Sequence, residues 1–218
     1  MKNKKRTRIG RDLLVNKIFD LMIVIIGVTI AFQLNNMKVR ADQRSLAAFY
    51  KERIAEELNK DIEEEEGILE TLESDKRIAE RFQATANPVP DSLVKVVVEV
   101  LSLETFTPHQ NTYQTLLQGN GLTVFEDRSM QSHITEYYSV YTNITRFEEV
   151  YTTVLIKLHE YFSPYCNYET GKLTDVSVLN SNQTRNLLII VISQLNDGIE
   201  AHTQALQKAK ALKATLQR

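Results

Sequence analysis

Tryptophan is absent from this sequence of 218 residues, and cysteine, proline and glycine are scarce. A single cysteine, Cys166, excludes an intramolecular disulfide and any metal cluster held by several cysteines. Four prolines and seven glycines are too few for a collagen-like, linker-rich or turn-dense all-β chain. Hydrophobic residues nevertheless make up 43% of the chain, which excludes a largely disordered protein.

Charge is unevenly distributed, although the formal net charge is only −2. Residues 1–44 carry ten Lys and Arg residues against three Asp residues, a local net charge of +7. The rest of the chain carries 16 basic against 25 acidic residues, a net of −9. We expect the partner of the basic end to be the lipid bilayer and not nucleic acid.

An apolar run follows the basic N-terminus. Residues 18–34 contain one charge, Asp20, and these 17 residues would cover roughly 25 Å as a helix. A buried core helix is an alternative, but the run is apolar around almost its whole circumference. A cleaved signal peptide is another, but no small-x-small cleavage site follows the run. We therefore predict a basic cytoplasmic segment at residues 1–17 and an uncleaved transmembrane signal anchor at residues 18–36.

The charges that flank the span predict its orientation. Seven basic residues precede it, whereas three follow it closely, at Lys38, Arg40 and Arg44. The more basic side of a span stays in the cytoplasm. The sequence therefore predicts a bacterial inner-membrane protein with a cytoplasmic N-terminus and a periplasmic C-terminal domain.

Small residues in the span suggest self-association. Gly27 and Ala31 share one helix face, and small residues at this spacing allow two backbones to approach closely in lipid. Such residues are also common in membrane helices that do not associate. If the helix continues into the stalk, the same two chains can also meet at apolar residues directly above the span. The predicted self-association residues are therefore Gly27, Ala31, Leu46, Tyr50, Ile54 and Leu58.

Residues 37–86 predict a long stalk helix that continues out of the membrane. Its apolar positions recur mainly at steps of three, four and seven, which is the helical period. They are Leu46, Tyr50, Ile54, Leu58, Ile62, Leu69, Leu72, Ile78 and Phe82. The acidic run at residues 61–66 could bind a metal or a cationic partner, but we predict a solvated helix face.

Residues 87–218 predict a helical bundle that the stalk completes. Pro88 and Pro90 end the stalk, and a short helix from Asp91 or Ser92 to about residue 103 follows, with a strand as the alternative for its valine-rich part. A second short helix is predicted at residues 113–118, capped by Asn111 or Thr112, with a left-handed turn at residues 119–121. Long helices are predicted from Asp127 to Phe162 and from Ser181 to the end. Short loops predict antiparallel packing of these last two helices.

Three stretches resemble an uncharacterised family of bacterial single-pass membrane proteins. They are the span end at residues 25–36, the stalk start at residues 49–62, and residues 112–122 with the following Ile134-x-x-Tyr137-Tyr138. This family usually has Trp where Met37 stands here, so an interfacial aromatic anchor is missing. The resemblance covers roughly residues 20–140 and implies a membrane topology with an all-helical exterior, but no mechanism.

No catalytic motif is present in the sequence. The residues three positions before the four histidines are Phe106, Met130, Ile156 and Ile199, so the Glu-x-x-His pattern of di-iron bundles is absent. No phosphate-binding glycine loop and no Gly-x-Ser-x-Gly elbow occurs. We predict an all-α, non-enzymatic protein without a metal or cofactor, acting as a scaffold or accessory subunit of an envelope complex. Its partner would be a second copy or another membrane protein. The alternative is a ligand-sensing bundle that signals through a partner.

Overall fold

The computed structural model describes residues 4–84, 103–119, 121–167, 169–170 and 172–217. Four α-helices dominate this part of the chain: α1 (Lys4–Ala84), α2 (Asn111–Gln118), α3 (Arg128–Phe162) and α4 (Asn182–Leu216). The predicted all-α class is confirmed. Short 3-10 helices occupy Gly121–Val124, Ser163–Tyr165 and Val176–Asn180, and a two-stranded antiparallel hairpin pairs Cys166–Asn167 with Lys172–Leu173. The short helix predicted after Pro90 lies almost entirely outside the described residues.

The chain divides into two compact units, residues 1–49 and 50–218. The described residues of the first unit form the N-terminal part of α1. The large apolar side chains of this part, from Phe19 to Val39, are 46–66% exposed. Among the described residues, one helix, near the N-terminus, is long and apolar enough to cross a membrane, and none of its most apolar window is buried. A signal sequence would meet the same criteria of length and composition.

The second unit is a bundle whose buried positions repeat every seven residues. On α1 the buried residues alternate at steps of four and three: Ile54, Leu58, Asp61, Glu65, Ile68, Leu72, Asp75, Ala79 and Phe82. On α4 the same alternation joins Thr184, Leu188, Val191, Leu195, Gly198, His202, Ala205, Ala209, Leu212 and Leu216. The buried residues of α3, from Met130 to Phe162, follow nearly the same alternation of steps. This period of 3.5 is the period of knobs-into-holes packing between long helices.

Side-chain contacts give the helix directions. Lys208 binds Glu136 at 2.6 Å, and the Tyr161 and Ser181 hydroxyl groups lie 2.7 Å apart, so α3 and α4 run antiparallel as predicted. Helix α1 runs parallel to α3, because Asp61 binds Tyr137 near one end while Asp75, farther along α1, borders a small cavity with Tyr151.

The observed helix starts agree with the predicted ones for α3 and α4 but not for α2. Asp127 caps α3 as predicted. Ser181, the predicted start of the last helix, is the N-cap of α4, and each of the two side chains accepts a hydrogen bond from a backbone N–H in the first turn. The predicted caps of α2 are wrong, because the helix begins at Asn111 and its N-cap, Gln110, makes no capping bond. Gly121, in the following turn, has a left-handed φ of 65°.

The acidic run at residues 61–66 is not a uniformly solvated face. Asp61 and Glu65 are both 0% exposed, whereas Ile62 is only half-buried. The prediction fails here because Ile54, Leu58, Leu72 and Phe82 fix the phase of the buried face. A strict step of three and four then places Asp61 and Glu65 inside the bundle.

Candidate functional site

The predicted self-association residues fall into different environments. Gly27 and Ala31 are exposed, and no neighbouring atom lies within 4 Å of the position of a Cβ on Gly27. Leu46 and Tyr50 are half-buried. Ile54 and Leu58 are 0% exposed, which corrects the prediction that they offer a surface to a second copy. They are core residues of the chain's own bundle because the seven-residue period begins with them.

A carboxylate of α1 holds the start of α2. Glu57 Oε1 accepts bonds from the Thr112 backbone N–H at 3.1 Å and from its Oγ1 at 2.8 Å. The first turn of a helix has unpaired N–H groups that favour a negative charge. Glu57 therefore caps the start of α2 from a neighbouring helix, a role that the sequence had assigned to Asn111 or Thr112.

Asp61 joins three parts of the bundle. Its Oδ1 accepts the backbone N–H of His109 at 2.9 Å and lies 2.7 Å from His109 Nδ1. Its Oδ2 accepts the Tyr137 hydroxyl, which in turn accepts the Tyr141 hydroxyl. Burial and the neighbouring carboxylate raise the pKa of Tyr137, so this phenol remains a donor. Such a fully bonded network fixes the relative positions of α1, α3 and the segment before α2.

Glu65 and His202 form a buried pair between α1 and α4. Glu65 Oε2 lies 2.7 Å from His202 Nδ1, and the two side chains are 0% and 1% exposed. The rings of Phe106 and Phe147 contact the imidazole edge-on, at centroid distances of 6.5 Å and 5.9 Å. Glu65 Oε1 is buried and has no hydrogen-bond partner among the described residues. Burial raises the pKa of Glu65 despite the histidine beside it.

A third carboxyl group approaches the same region from α3. Glu148 is half-buried, and its Oε1 accepts the Phe106 backbone N–H at 2.7 Å. Burial raises the pKa of Glu148, and the charge of Glu148 contributes to the raised pKa of Glu65. We call the following set the interior cluster: Asp61, Glu65, His109, Tyr137, Tyr141, Glu148 and His202.

A cation site at one edge of the interior cluster is not supported by its bonding. Ligand atoms of Asp61, Glu64 and His109 lie within 4.8 Å of one another. Both oxygens of Asp61, however, already accept protein hydrogen bonds. Of this group, the exposed Glu64 carboxylate and the second ring nitrogen of His109 then remain as possible ligands. Two ligands are fewer than the three or four protein ligands that are typical of zinc.

Cys166 lies on the first strand of the small hairpin and is half-buried. Burial raises the pKa of its thiol. The thiolate is the reactive form of cysteine, so a raised pKa lowers its reactivity at neutral pH. The structure therefore adds no support for a nucleophilic role of this residue.

An open groove of about 440 Å³ is lined by residues of α3 and α4. Phe147, Val150 and Ala201 contribute its apolar lining. Arg146 lies on the α3 wall, and the α4 wall carries Asp197 and Glu200. Volumes of roughly 300–1,000 Å³ are typical of small-molecule sites, although such sites are usually more enclosed and more apolar than this groove.

The interior cluster was missed because acidic residues were assigned to the solvent by residue type. The signal that could have found it is the phase of the heptad: counting four and three from Leu58 reaches Asp61 and Glu65. His202 and Thr184 occupy equivalent positions on α4. Polar residues at core positions of a heptad are the feature to look for in such a sequence.

No family model, no curated protein and no solved structure matches this chain. The resemblance to an uncharacterised membrane family therefore stays a prediction. Function has to be argued from the geometry of the chain itself.

Proposed function

We propose that this protein is a non-enzymatic, membrane-anchored accessory subunit or scaffold of a bacterial envelope complex. The observation that carries the proposal is the continuity of α1. One helix of 81 residues contains both the exposed apolar stretch and, from residue 54 to 82, one buried face of the bundle. An exposed apolar stretch of this length is stabilised by lipid and is unfavourable in water.

The proposed topology has residues 1–17 in the cytoplasm, a span at residues 18–36 and the bundle in the periplasm. The excess of positive charge before the span supports this direction. Fusions of alkaline phosphatase and of green fluorescent protein to the C-terminus test it. We expect phosphatase activity and no fluorescence. Fluorescence without phosphatase activity, or a mature N-terminus near residue 32, would reject the topology.

The accessory role predicts a stable protein partner in the membrane. The full chain, purified in mild detergent with a C-terminal tag, should co-purify with one membrane protein in a fixed ratio. A variant with the apolar stretch replaced by a cleavable signal peptide provides the control, because it keeps the bundle but loses the membrane. Retention of the same partner by both forms would place the contact on the bundle, and no partner with either form would reject the accessory role.

A ligand-sensing bundle is the second candidate, and the groove between α3 and α4 favours it. Opposite charges on its two walls suit a small zwitterion, with a carboxylate near Arg146 and an ammonium group near Asp197 or Glu200. The twenty free amino acids, tested singly against the full chain in detergent, should include one that raises the unfolding temperature. Arg146→Ala should abolish that rise. No shift with any amino acid would reject this candidate in the form stated.

A further inference from the structure

The interior cluster contains more acidic than basic groups. Asp61 and Glu65 come from α1, Glu148 from α3, His109 from the segment before α2, and His202 from α4. Tyr137 and Tyr141 add neutral hydroxyl groups. If all three carboxyl groups were ionised, the cluster would carry a charge of −1 with both histidines protonated and −3 with both neutral.

Lysine and arginine do not compensate this charge within the described part of the chain. The nearby cations of α4 bind exposed acids instead: Lys208 pairs with Glu136, and Lys210 pairs with Glu66. Among the described residues, His202 is the one cation that shifts the pKa of Glu65 or Glu148. An uncompensated charge inside a protein is strongly unfavourable, so such groups take up protons instead.

The unpartnered oxygen of Glu65 is consistent with a carboxyl group that holds a proton. Glu65 Oε2 is bound to His202, while the buried Oε1 meets no donor among the described residues. A carboxylate in this position would leave one charged oxygen without a hydrogen bond, which is more costly than a neutral carboxyl group.

We propose that the interior cluster is a proton-binding site: the bundle takes up protons at Glu65 and Glu148 when it folds, so acidification tightens α1 against α3 and α4. The inference does not depend on the accessory role. It concerns the bundle itself. The ligand of the site is the proton, and the site is built from α1, α3, α4 and the segment before α2.

The direction of the effect follows from linkage. A carboxyl group whose pKa is raised in the folded state adds stability that is fully present below its unfolded value, near 4.5. That stability is lost as the pH rises through the folded value. The bundle should therefore become less stable as the pH rises above about 4.5, with the unfolding equilibrium constant rising up to about tenfold per pH unit for each proton released.

Urea unfolding of the full chain in detergent tests this slope. All nine tyrosines lie between residues 50 and 168, so near-UV circular dichroism of tyrosine reports on the bundle and not on the N-terminal apolar stretch. Glu65→Gln should reduce the slope with pH. Glu63→Gln is the matched control, because Glu63 is an exposed acid on the same helix, and it should leave the slope unchanged. A flat wild-type slope, or an equal slope in Glu65→Gln, would overturn the proposal.

Two further measurements decide the question if Glu65→Gln fails to fold. Glu148→Gln removes a half-buried acid but keeps an amide oxygen for the Phe106 N–H, and it should also reduce the slope. Unfolding in weak buffer at pH 6, followed with an indicator dye, should release more protons or take up fewer from the wild-type chain than from Glu148→Gln, because the histidines contribute to both chains alike. An equal proton balance in the two chains would overturn the proposal.

Discussion

At the scale of single residues, Gly198 decides how closely α3 and α4 approach each other. A Cβ built on this residue would lie 2.3 Å from Phe147 Cζ, so the ring occupies the space that any other residue would need. Phe147 is 6% exposed, stacks on Tyr151 at 5.4 Å and contacts His202 with its edge. Its ring therefore cannot move without disturbing the buried pair of Glu65 and His202.

Gly198→Ala should destabilise the bundle by about 1–3 kcal/mol, the usual range for an added methyl group in a closely packed core. Gly67→Ala is the control, because Gly67 lies on α1 with nothing within 4 Å of its Cβ position. Alanine there should stabilise the helix by roughly 0.5–1 kcal/mol. Urea unfolding followed by tyrosine circular dichroism measures both, and a Gly198→Ala variant as stable as wild type would contradict this packing.

At the scale of helices, α2 depends on a side chain that lies 55 positions earlier in the sequence. Glu57 binds both the N–H and the hydroxyl of Thr112 through one oxygen. Helix α2 has only eight residues, too few for stability in isolation. Its order should therefore depend on this carboxylate and on the stacking of Tyr113 against Tyr138 at 4.1 Å.

Glu57→Ala should increase hydrogen exchange at the Thr112 amide and through the first turn of α2, at a cost of about 1 kcal/mol. Glu56→Ala is the matched control, since Glu56 is exposed and forms an ion pair with the exposed Arg53. Its exchange pattern in α2 should equal that of wild type. If Glu57→Ala leaves the Thr112 amide protected, another group holds this helix end.

The helices were predictable from sequence where local chemistry determines them. Asp127 and Ser181 each mark a helix start, and the predicted end of α3 at Phe162 is correct, because caps and prolines act over a few residues. The caps predicted at Asn111 and Thr112 were wrong because Glu57, far away in sequence, satisfies the helix end. The interior cluster was not predictable from residue type, since burial of Asp61 and Glu65 depends on partners from α3, α4 and the segment before α2.

At the scale of the whole molecule, fewer residues of α1 are accessible for contact with a second copy than the sequence predicted. Ile54 and Leu58 belong to the bundle, so a surface that continues along α1 into the bundle is not available. Gly27 and Ala31 keep their exposed face in the N-terminal unit. Thr29 lies between them in the sequence, and its hydroxyl donates to Ile25 O at 2.7 Å within the same helix.

We predict that two copies associate through Gly27 and Ala31 in the membrane, because glycine has no side chain and therefore allows the two backbones to approach closely. Gly27→Ile should lower the dimer fraction several-fold in a membrane two-hybrid assay and in cross-linking in mild detergent. Val28→Ile adds one methylene group about 100° around the same helix and should leave the dimer fraction unchanged. Because Ile54 and Leu58 are buried, Leu58→Ala should reduce bundle stability but not the dimer fraction of the folded protein. A wild-type chain that is monomeric in both assays would contradict self-association, and a contact with a different membrane protein would then become the preferred explanation for the exposed face of Gly27.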